Sequence, residues 1–431
     1  MVSLGADQGP MVRLARWNPD RLMLQGRGRR RMRRKWLVAT VWSLIVTVSP
    51  VIPVVTTPAR AAASCSGVQV TPGHLTQALV NSKSPGTTFC LGEGTYRPMA
   101  PIIVQSHDTV VGVGKVVVAG SGHVSTAFVG FAGYQDSVTI RHLEIRGFTG
   151  SKFPGALKPG ADWLVRGNYI HHNRVLGVEI SPGLRLIDNR IVTNGQYGIS
   201  GGIGLHMGVR IEGNEIAHNN TRHLSDGGGS KLYGSTVGLT GIVWRNNWVH
   251  HNHGPGIWSD GNAGPGIEIA GNRVEWNTGP GIFIEISHAH RIHDNVVRFN
   301  NGALAGKSCW WGAQILVQNS NGVQIYRNKV VDRGGTNGIC LVDSERDDAA
   351  PFGVTIRGVS VHNNRITLRG SSQTGLVGGE FAPYDRADAA FDDNTYRVPV
   401  RRSWWVWWDG ARTWRRWHHL RQDKTGTLVK D

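Results

Sequence analysis

The feature that most constrains the fold of this chain is a repeat of about 25 residues in its middle. Three glycine-rich pieces follow one another within residues 227–287: GGGSKLYG, GPGIWSDGN and GPGIFIEIS. Trp258 and Phe283 stand 25 positions apart, at the same place in the second and third pieces. Short apolar segments that recur at a fixed period predict a stacked repeat, in which each unit packs only on its neighbours.

Asparagine marks the same repeat outside these three pieces. One asparagine recurs in a strand-like context, at Asn168, Asn189, Asn214, Asn247, Asn272, Asn295, Asn328 and Asn364. A second follows five residues later, at Asn173, Asn194, Asn219, Asn252, Asn277 and Asn300. Asparagine tolerates the left-handed backbone of tight turns, and its amide can bond to the same amide one coil further along. Together with apolar–polar alternation, this predicts an all-β fold, a right-handed parallel β-helix with two or three strands per coil.

Alternation along each strand predicts which side chains face outward. The isoleucines, serines and leucine of the three pieces point into the coil, and the residues between them point out. The outward residues are Lys231, Tyr233, Trp258, Asp260, Phe283 and Glu285, joined by Gln318 one coil further on. Because neighbouring coils lie about 4.8 Å apart, we expect Asp260 beside Glu285, with Lys231 close by.

This outer group predicts a polysaccharide site. The candidate catalytic residues are Lys231, Asp260, Glu285 and, just beyond them, His288. The candidate substrate-binding residues supply rings and an amide: Tyr233, Trp258, Phe283 and Gln318. Adjacent carboxylates repel unless a proton or cation intervenes, so Asp260 and Glu285 are also candidate ligands for Ca²⁺, which prefers oxygen. The alternative is a ladder of Lys–Asp–Glu ion pairs with no binding function.

Histidines raise two further possibilities. His288 and His290 follow Glu285 in a turn, where they suit general acid–base chemistry near neutral pH or simply face solvent. The run HHNH at 250–253 resembles a string of metal ligands. Because successive residues alternate sides, we expect this run not to form a single metal site.

The N-terminal region predicts export. A basic stretch at residues 27–35 precedes an apolar run at 36–55 and the small residues ARAAAS. This order is typical of a secretory signal, and Arg33-Arg34 resembles a twin-arginine export signal. We therefore expect a secreted protein, with the export region at residues 1–63 and no membrane anchor after processing.

Composition adds expectations about cysteines and partners. Four cysteines in an exported chain predict disulfides, and proximity in the sequence pairs Cys65 with Cys90 and Cys309 with Cys340. Free cysteines or metal ligation are the alternatives. Of the formal net charge of +17, residues 1–63 carry +9 and the remainder +8, and this moderately basic remainder suits an anionic partner such as an acidic polysaccharide. Nucleic acid is not an expected partner, because the protein is exported.

The repeat also predicts domain boundaries. Residues 64–135 are expected to form an N-terminal cap and the first coils, and residues 136–394 the β-helix repeats. After Asn394 the pattern stops, and residues 395–431 are rich in tryptophan. A segment of under about 40 residues is too short for an independent module. It therefore predicts a C-terminal cap on the last coil, with a sugar-binding module as the alternative.

GTTFCLGEGTYR, GGGSKL, GPGIWSDGN, GIFIEIS and the tryptophan-rich end resemble the pectate-lyase-like right-handed β-helix superfamily. The closer resemblance is to exported, actinobacterial-type β-helix repeat proteins. It implies a lyase that cleaves a uronate polysaccharide by β-elimination, with Lys231 as base and Ca²⁺ on Asp260 and Glu285. A glycoside hydrolase that uses the same two carboxylates, or a cell-surface solenoid that binds glycan without turnover, is the alternative. We expect the processed protein to be a monomer.

Overall fold

The part of the chain described here begins at Cys65. The computed structural model describes residues 65–150, 153–202, 208–234, 239–262, 264, 266–304, 309–310, 312–344, 355–378, 388–399, 403–408 and 410–430. The predicted export region at residues 1–63 lies outside these ranges. The structure therefore tests the predicted β-helix and leaves the export signal as a prediction.

Three sheets, each of 13 strands, form the described part of the chain. The first sheet comprises Val68–Val70, Thr88–Leu91, Thr109–Gly112, Thr139–Arg141, Leu164–Arg166, Arg185–Ile187, Arg210–Glu212, Val243–Arg245, Glu268–Ala270, Arg291–His293, Gln324–Tyr326, Val359–His362 and Ala389–Asp392. The second comprises Gly94–Tyr96, Val116–Ala119, Glu144–Arg146, Tyr169–His171, Arg190–Val192, Glu215–Ala217, Trp248–His250, Arg273–Glu275, Val296–Arg298, Lys329–Val331, Arg365–Thr367, Thr395–Val398 and Thr427–Lys430. The third comprises Ile102–Ile103, Phe128–Val129, Leu157–Lys158, Leu176–Glu179, Tyr197–Gly201, Gly228–Tyr233, Ile257–Asp260, Ile282–Glu285, Ala313–Gln318, Asn337–Asp343, Thr374–Gly378, Trp405–Trp408 and Gly410–Arg412.

Neighbouring strands of a sheet are parallel and come from successive coils. Among the described strands, the antiparallel pair Trp405–Trp408 with Gly410–Arg412 is the exception. Register is kept from coil to coil, so that Ile191 lies between Ile170 and Ile216. Such columns of Ile, Val and Leu line one continuous interior. The predicted all-β parallel β-helix is confirmed.

Buried asparagines hold the turns between sheets, as predicted. In the turn between the first and second sheets, the Nδ2 of Asn247 donates to the Oδ1 of Asn272 over 2.9 Å. It also donates to the carbonyl oxygen of Ile211 over 2.7 Å, while its own Oδ1 accepts from the Nδ2 of Asn214 over 3.0 Å. The same bonds join Asn168, Asn189, Asn214, Asn247, Asn272, Asn295, Asn328, Asn364 and Asn394. The second column runs from Asn173 to Asn300 and ends on Gln314.

Residues with a left-handed backbone precede the first column. Asp188, Asn246 and Asp294 have φ values of 54°, 56° and 56°. Aspartate, asparagine and glycine adopt this conformation at low cost, which explains why they recur at the bend.

Short helices flank the coils. Helix Gln77–Asn81 begins after Thr76, whose side chain accepts a hydrogen bond from the Leu79 backbone N–H over 3.1 Å. Helix Trp414–His419 begins after Thr413, and a 3₁₀ turn covers Gly302–Leu304. In the described ranges, no helix is long and apolar enough to cross a membrane.

A cluster of aromatic side chains lies at the C-terminal end of the coils. Trp405 packs on Tyr396 with ring centres 5.3 Å apart, and Trp417 is fully buried. Asp423 takes the place of the next asparagine, because its carboxylate accepts from Asn394 Nδ2 over 2.8 Å. It also accepts from the Tyr396 hydroxyl over 2.6 Å and the Trp417 indole N–H over 2.8 Å. The ladder therefore ends on a carboxylate that ties the aromatic cluster to the last coil.

Both predicted disulfides are present. Cys65 is bonded to Cys90 and Cys309 to Cys340, with Cα–Cα distances of 5.8 and 5.4 Å. The second disulfide fastens the segment before strand Ala313–Gln318 to the outer side of the third sheet.

Candidate functional site

The predicted outer group lies on the third sheet in the order that alternation implies. Asp260 lies beside Tyr233 on one side and Glu285 on the other. Trp258 lies beside Phe283. The predicted neighbours are therefore brought together, while their roles in catalysis or binding stay predictions.

Lys231 lies at the centre of this group. Its side chain is only 8% exposed, and its Nζ lies 2.9 Å from Oδ2 of Asp260 and 3.0 Å from Oδ1 of Asp226. The same nitrogen lies 3.4 Å from the centre of the Trp258 ring and 4.8 Å from that of Tyr233. Two carboxylates and two ring faces compensate for the loss of water around the ammonium group. Lys231 thereby holds both acids and both rings in one arrangement.

Asp226 is a site residue that the sequence reasoning missed. Besides Lys231, its carboxylate accepts from the hydroxyl of Tyr197 over 2.6 Å and from that of Tyr233 over 3.3 Å. Its side chain is 42% exposed, more than the 23% of Asp260. Alternation applies to strands, and Asp226 lies in the loop before strand Gly228–Tyr233. Its position directly before GGGSKLYG was the available signal.

Tyr197 and Tyr233 complete this side of the group, with their hydroxyl oxygens 3.4 Å apart. Burial raises the pKa of both phenols well above the usual value, and the Asp226 carboxylate adds to this effect. Both phenols therefore carry their protons at ordinary pH. They can donate hydrogen bonds, and neither is a resting base.

Glu285 and Phe283 are less exposed than alternation alone predicts. Each residue is only 7% exposed. Trp258 bridges them: its Nε1–H donates to Oε2 of Glu285 over 3.1 Å, and its ring stacks on Phe283 at 5.3 Å. Phe283 points outward as predicted, but its ring is covered, and its role in substrate binding stays a prediction. The ring belongs to a buried cluster on the outer side of the sheet that includes Cys309 and packs against Trp310.

Gln318 is also buried, at 2% exposure. Its Nε2 donates to the hydroxyl of Ser344 over 3.2 Å. The amide is therefore covered by Ser344, which follows strand Asn337–Asp343 in the next coil. Its role in substrate binding stays a prediction.

The two histidines after Glu285 have different environments. His288 is half-buried in the turn after the third sheet, with its Nδ1 on Oδ1 of Asn321, and its catalytic role stays a prediction. His290 is fully buried: its Nε2 lies 2.8 Å from the Ser259 hydroxyl and its Nδ1 2.8 Å from the His288 carbonyl oxygen. Burial lowers the pKa of His290 to about 4. His290 is therefore a core residue and not an outward-facing acid or base.

The group does not fit the predicted Ca²⁺ site. Calcium takes six to eight oxygen ligands, which must converge on one point. Here Asp260 and Asp226 converge on the Lys231 ammonium, and Glu285 bonds to the Trp258 indole. The positive charge between the carboxylates is already supplied by a side chain.

The HHNH run departs from expectation. Alternation was expected to separate its histidines, yet Nδ1 of His250 lies 2.8 Å from Nδ1 of His251. His251 has a left-handed backbone, with φ of 52°, which breaks the alternation. His218 joins them from the preceding coil.

Three parallel sheets around one interior, with a polar and aromatic group on an outer face, define a parallel β-helix protein. The chain belongs to the right-handed β-helix family: the model of the right handed beta helix region matches residues 156–329 and 236–377. A search of curated proteins found no match.

Solved structures share the fold at low identity. The catalytic unit of a GH87 α-1,3-glucanase from Streptomyces thermodiastaticus is 15% identical, with 82% of this chain and 71% of that chain covered and a TM-score of 0.54. A mannuronic-acid-specific family 6 polysaccharide lyase from human gut microbiota is 14% identical, with 84% and 91% covered and a TM-score of 0.53. The A-module of the mannuronan C-5 epimerase AlgE4 from Azotobacter vinelandii is 14% identical, with 73% and 94% covered and a TM-score of 0.52. At these identities the likeness shows the fold.

Proposed function

We propose that this is an exported, carbohydrate-active β-helix protein that binds a polysaccharide along the outer face of the third sheet and cleaves it. The three structural neighbours described above are an epimerase named for mannuronan, an α-1,3-glucanase and a mannuronic-acid-specific polysaccharide lyase. Two disulfides support an oxidising, extracytoplasmic location.

The observation that carries the proposal is the Lys231 ammonium group, flanked by the Trp258 and Tyr233 rings and held by Asp226 and Asp260. Aromatic faces suit stacking on sugar rings. Charged and protonated groups beside them suit proton transfer at a glycosidic bond.

The specific reaction that we propose is β-elimination in a uronate chain. Lys231 supplies the positive charge that neutralises the uronate carboxylate, and the substrate approaches it from the side of Asp226, its more exposed partner. Because Lys231 pairs with two carboxylates, we assign the base to Asp260 instead. Asp260 removes the proton beside the uronate carboxylate, a carbon–carbon double bond forms, and the glycosidic carbon–oxygen bond breaks. The proton that Asp260 has taken passes to the leaving oxygen, and the Tyr233 hydroxyl, which stays protonated, donates a hydrogen bond to that oxygen.

A second candidate, glycoside hydrolysis, is favoured by the number of acids. The group holds three carboxylates, those of Asp226, Asp260 and Glu285, and a glycoside hydrolase needs two. The oxygens of Asp226 and Asp260 that contact Lys231 lie 3.0 and 2.9 Å from the same Nζ, so they are less than about 6 Å apart, which is shorter than the spacing of inverting hydrolases.

A panel of uronate and neutral polysaccharides tests both reactions. β-Elimination produces unsaturated ends that absorb in the ultraviolet, whereas hydrolysis produces reducing ends without that absorbance. We expect ultraviolet-absorbing products from a uronate chain, and we expect them equally in EDTA because Lys231 replaces Ca²⁺. Reducing ends alone would select hydrolysis. Binding without either product would leave a glycan-binding solenoid and refute cleavage.

A further inference from the structure

A group of three histidines lies on the second sheet, away from the third-sheet site. His250 ends strand Trp248–His250, and His251 follows it in the turn. His218 occupies the same turn position one coil earlier, and its backbone N–H donates to the His250 carbonyl oxygen over 3.2 Å. One ring nitrogen of each histidine lies within 4.8 Å of those of the other two.

The backbone of the turn brings these rings together. His218 and His251 have left-handed φ values of 54° and 52°, so both side chains leave the turn in the same direction. Their rings stack with centres 5.2 Å apart. His250 meets both rings edge to face, at 5.7 Å from His218 and 5.1 Å from His251.

The nitrogen spacing matches that of ligands on one metal ion. Nδ1 of His250 and Nδ1 of His251 are 2.8 Å apart and share a hydrogen bond, which a metal ion bound to both atoms would replace. Imidazole nitrogens bind Zn²⁺ at about 2.0–2.1 Å, which places two ligands on the same ion roughly 3 Å apart. The stacked His218 ring brings a third nitrogen from the adjacent coil.

The surroundings of His250 support the same interpretation. Nε2 of His250 is buried without a hydrogen-bond partner and lies 3.5 Å from Oε1 of Glu215. Metal-bound histidines commonly direct their second ring nitrogen at a carboxylate, which a small shift would achieve here.

We propose that His218, His250 and His251 bind one divalent transition-metal ion, of which Zn²⁺ is the reference, with solvent completing its coordination. Three imidazoles suit Zn²⁺, Cu²⁺ or Ni²⁺, and do not suit Ca²⁺ or Mg²⁺, which prefer oxygen. The site lies on a different sheet from Lys231 and requires no glycan chemistry there.

His171 and His172 form a pair like that of His250 and His251, but no third histidine lies at the equivalent turn positions in the neighbouring coils. His171 and His172 repeat the geometry, with Nδ1 atoms 2.6 Å apart and rings edge to face at 4.8 Å. The equivalent turn residue in the next coil is Thr193, and in the preceding coil it is Gly147. This pair therefore serves as the control for Zn²⁺ binding by two adjacent histidines alone.

Isothermal titration of Zn²⁺ into the full chain, purified without a polyhistidine tag and stripped with EDTA, tests the proposal. His251→Asn and His172→Asn both keep a residue that tolerates left-handed φ. Loss of an outer-shell partner alone costs ten- to a hundredfold in affinity, so His251→Asn should raise the Kd at least about tenfold, and His218→Asn should do the same. His172→Asn should leave this Kd unchanged.

Electron paramagnetic resonance of bound Cu²⁺ gives a second readout, in which we expect nitrogen hyperfine coupling that weakens in His251→Asn and persists in His172→Asn. No stoichiometric Zn²⁺ binding by the parent protein would overturn the proposal. Equal effects of His251→Asn and His172→Asn, with far-ultraviolet circular dichroism unchanged, would overturn it as well.

Discussion

Replacing Asn247 with alanine tests how much the asparagine ladder contributes to the fold. The substitution removes the bonds that Nδ2 donates to Asn272 Oδ1 and to the Ile211 carbonyl. It also removes the acceptor Oδ1, which the backbone N–H and Nδ2 of Asn214 reach over 2.9 and 3.0 Å. The Asn214 N–H and the Ile211 carbonyl then lose a buried partner. Each such group costs about 1–3 kcal/mol, so we expect a loss of about 2–6 kcal/mol in unfolding free energy.

Equilibrium unfolding in urea, followed by tryptophan fluorescence and circular dichroism, measures this loss. Asn246→Gly is the matched control, because the neighbouring amide is exposed and glycine tolerates its φ of 56°. We expect the control to stay within about 0.5 kcal/mol of the parent protein. If Asn247→Ala lowers the unfolding free energy no more than Asn246→Gly does, the asparagine ladder does not stabilise the fold.

Two further stability predictions follow from buried groups. The double substitution Cys309→Ala and Cys340→Ala should lower the unfolding free energy, measured in urea, by about 3–4 kcal/mol. It should also slow any glycan cleavage, because the segment that packs on Phe283 is no longer bonded to the sheet. An unchanged urea midpoint would contradict this prediction. Burial raises the pKa of Asp343 to about 6 from an ordinary value of about 3.9, so between these pH values the folded protein holds a proton that the unfolded chain has released. The unfolding free energy should therefore fall as pH rises from 4 to 6. In urea unfolding across that range, Asp343→Asn should reduce this fall by about 2–3 kcal/mol. Parallel pH profiles of the two proteins would refute the assignment.

Much of the fold could be predicted from the sequence, because its signals are local and repeated. Asn214, Asn247 and Asn272 recur at one position of each coil, so their spacing in the sequence gives the number of residues in each coil. Side-chain direction on strands follows from the same register, which is why Asp260 was expected beside Glu285.

The parts of the site that could not be predicted depend on loops. Asp226 lies outside the strand, so alternation says nothing about its direction, yet it shares Lys231 with Asp260. Phe283 and Gln318 have the predicted direction but are buried, because chain segments from neighbouring coils cover them. His251 reverses alternation through one left-handed residue. Local pattern gives the direction of a strand residue, whereas exposure depends on what the inserted loops cover.

The most direct test of the proposed site is the rate of product formation by Lys231→Met on the polysaccharide that the panel identifies. Asp294→Asn is the control, because this carboxylate is also ion-paired, with Arg327, but lies in the turn between the first and second sheets. Removing one charged group from the reacting centre should lower kcat/KM at least about a hundredfold, whereas the control should match the parent protein. A folded Lys231→Met protein that cleaves at the parent rate would contradict the assignment of catalysis to this face of the third sheet.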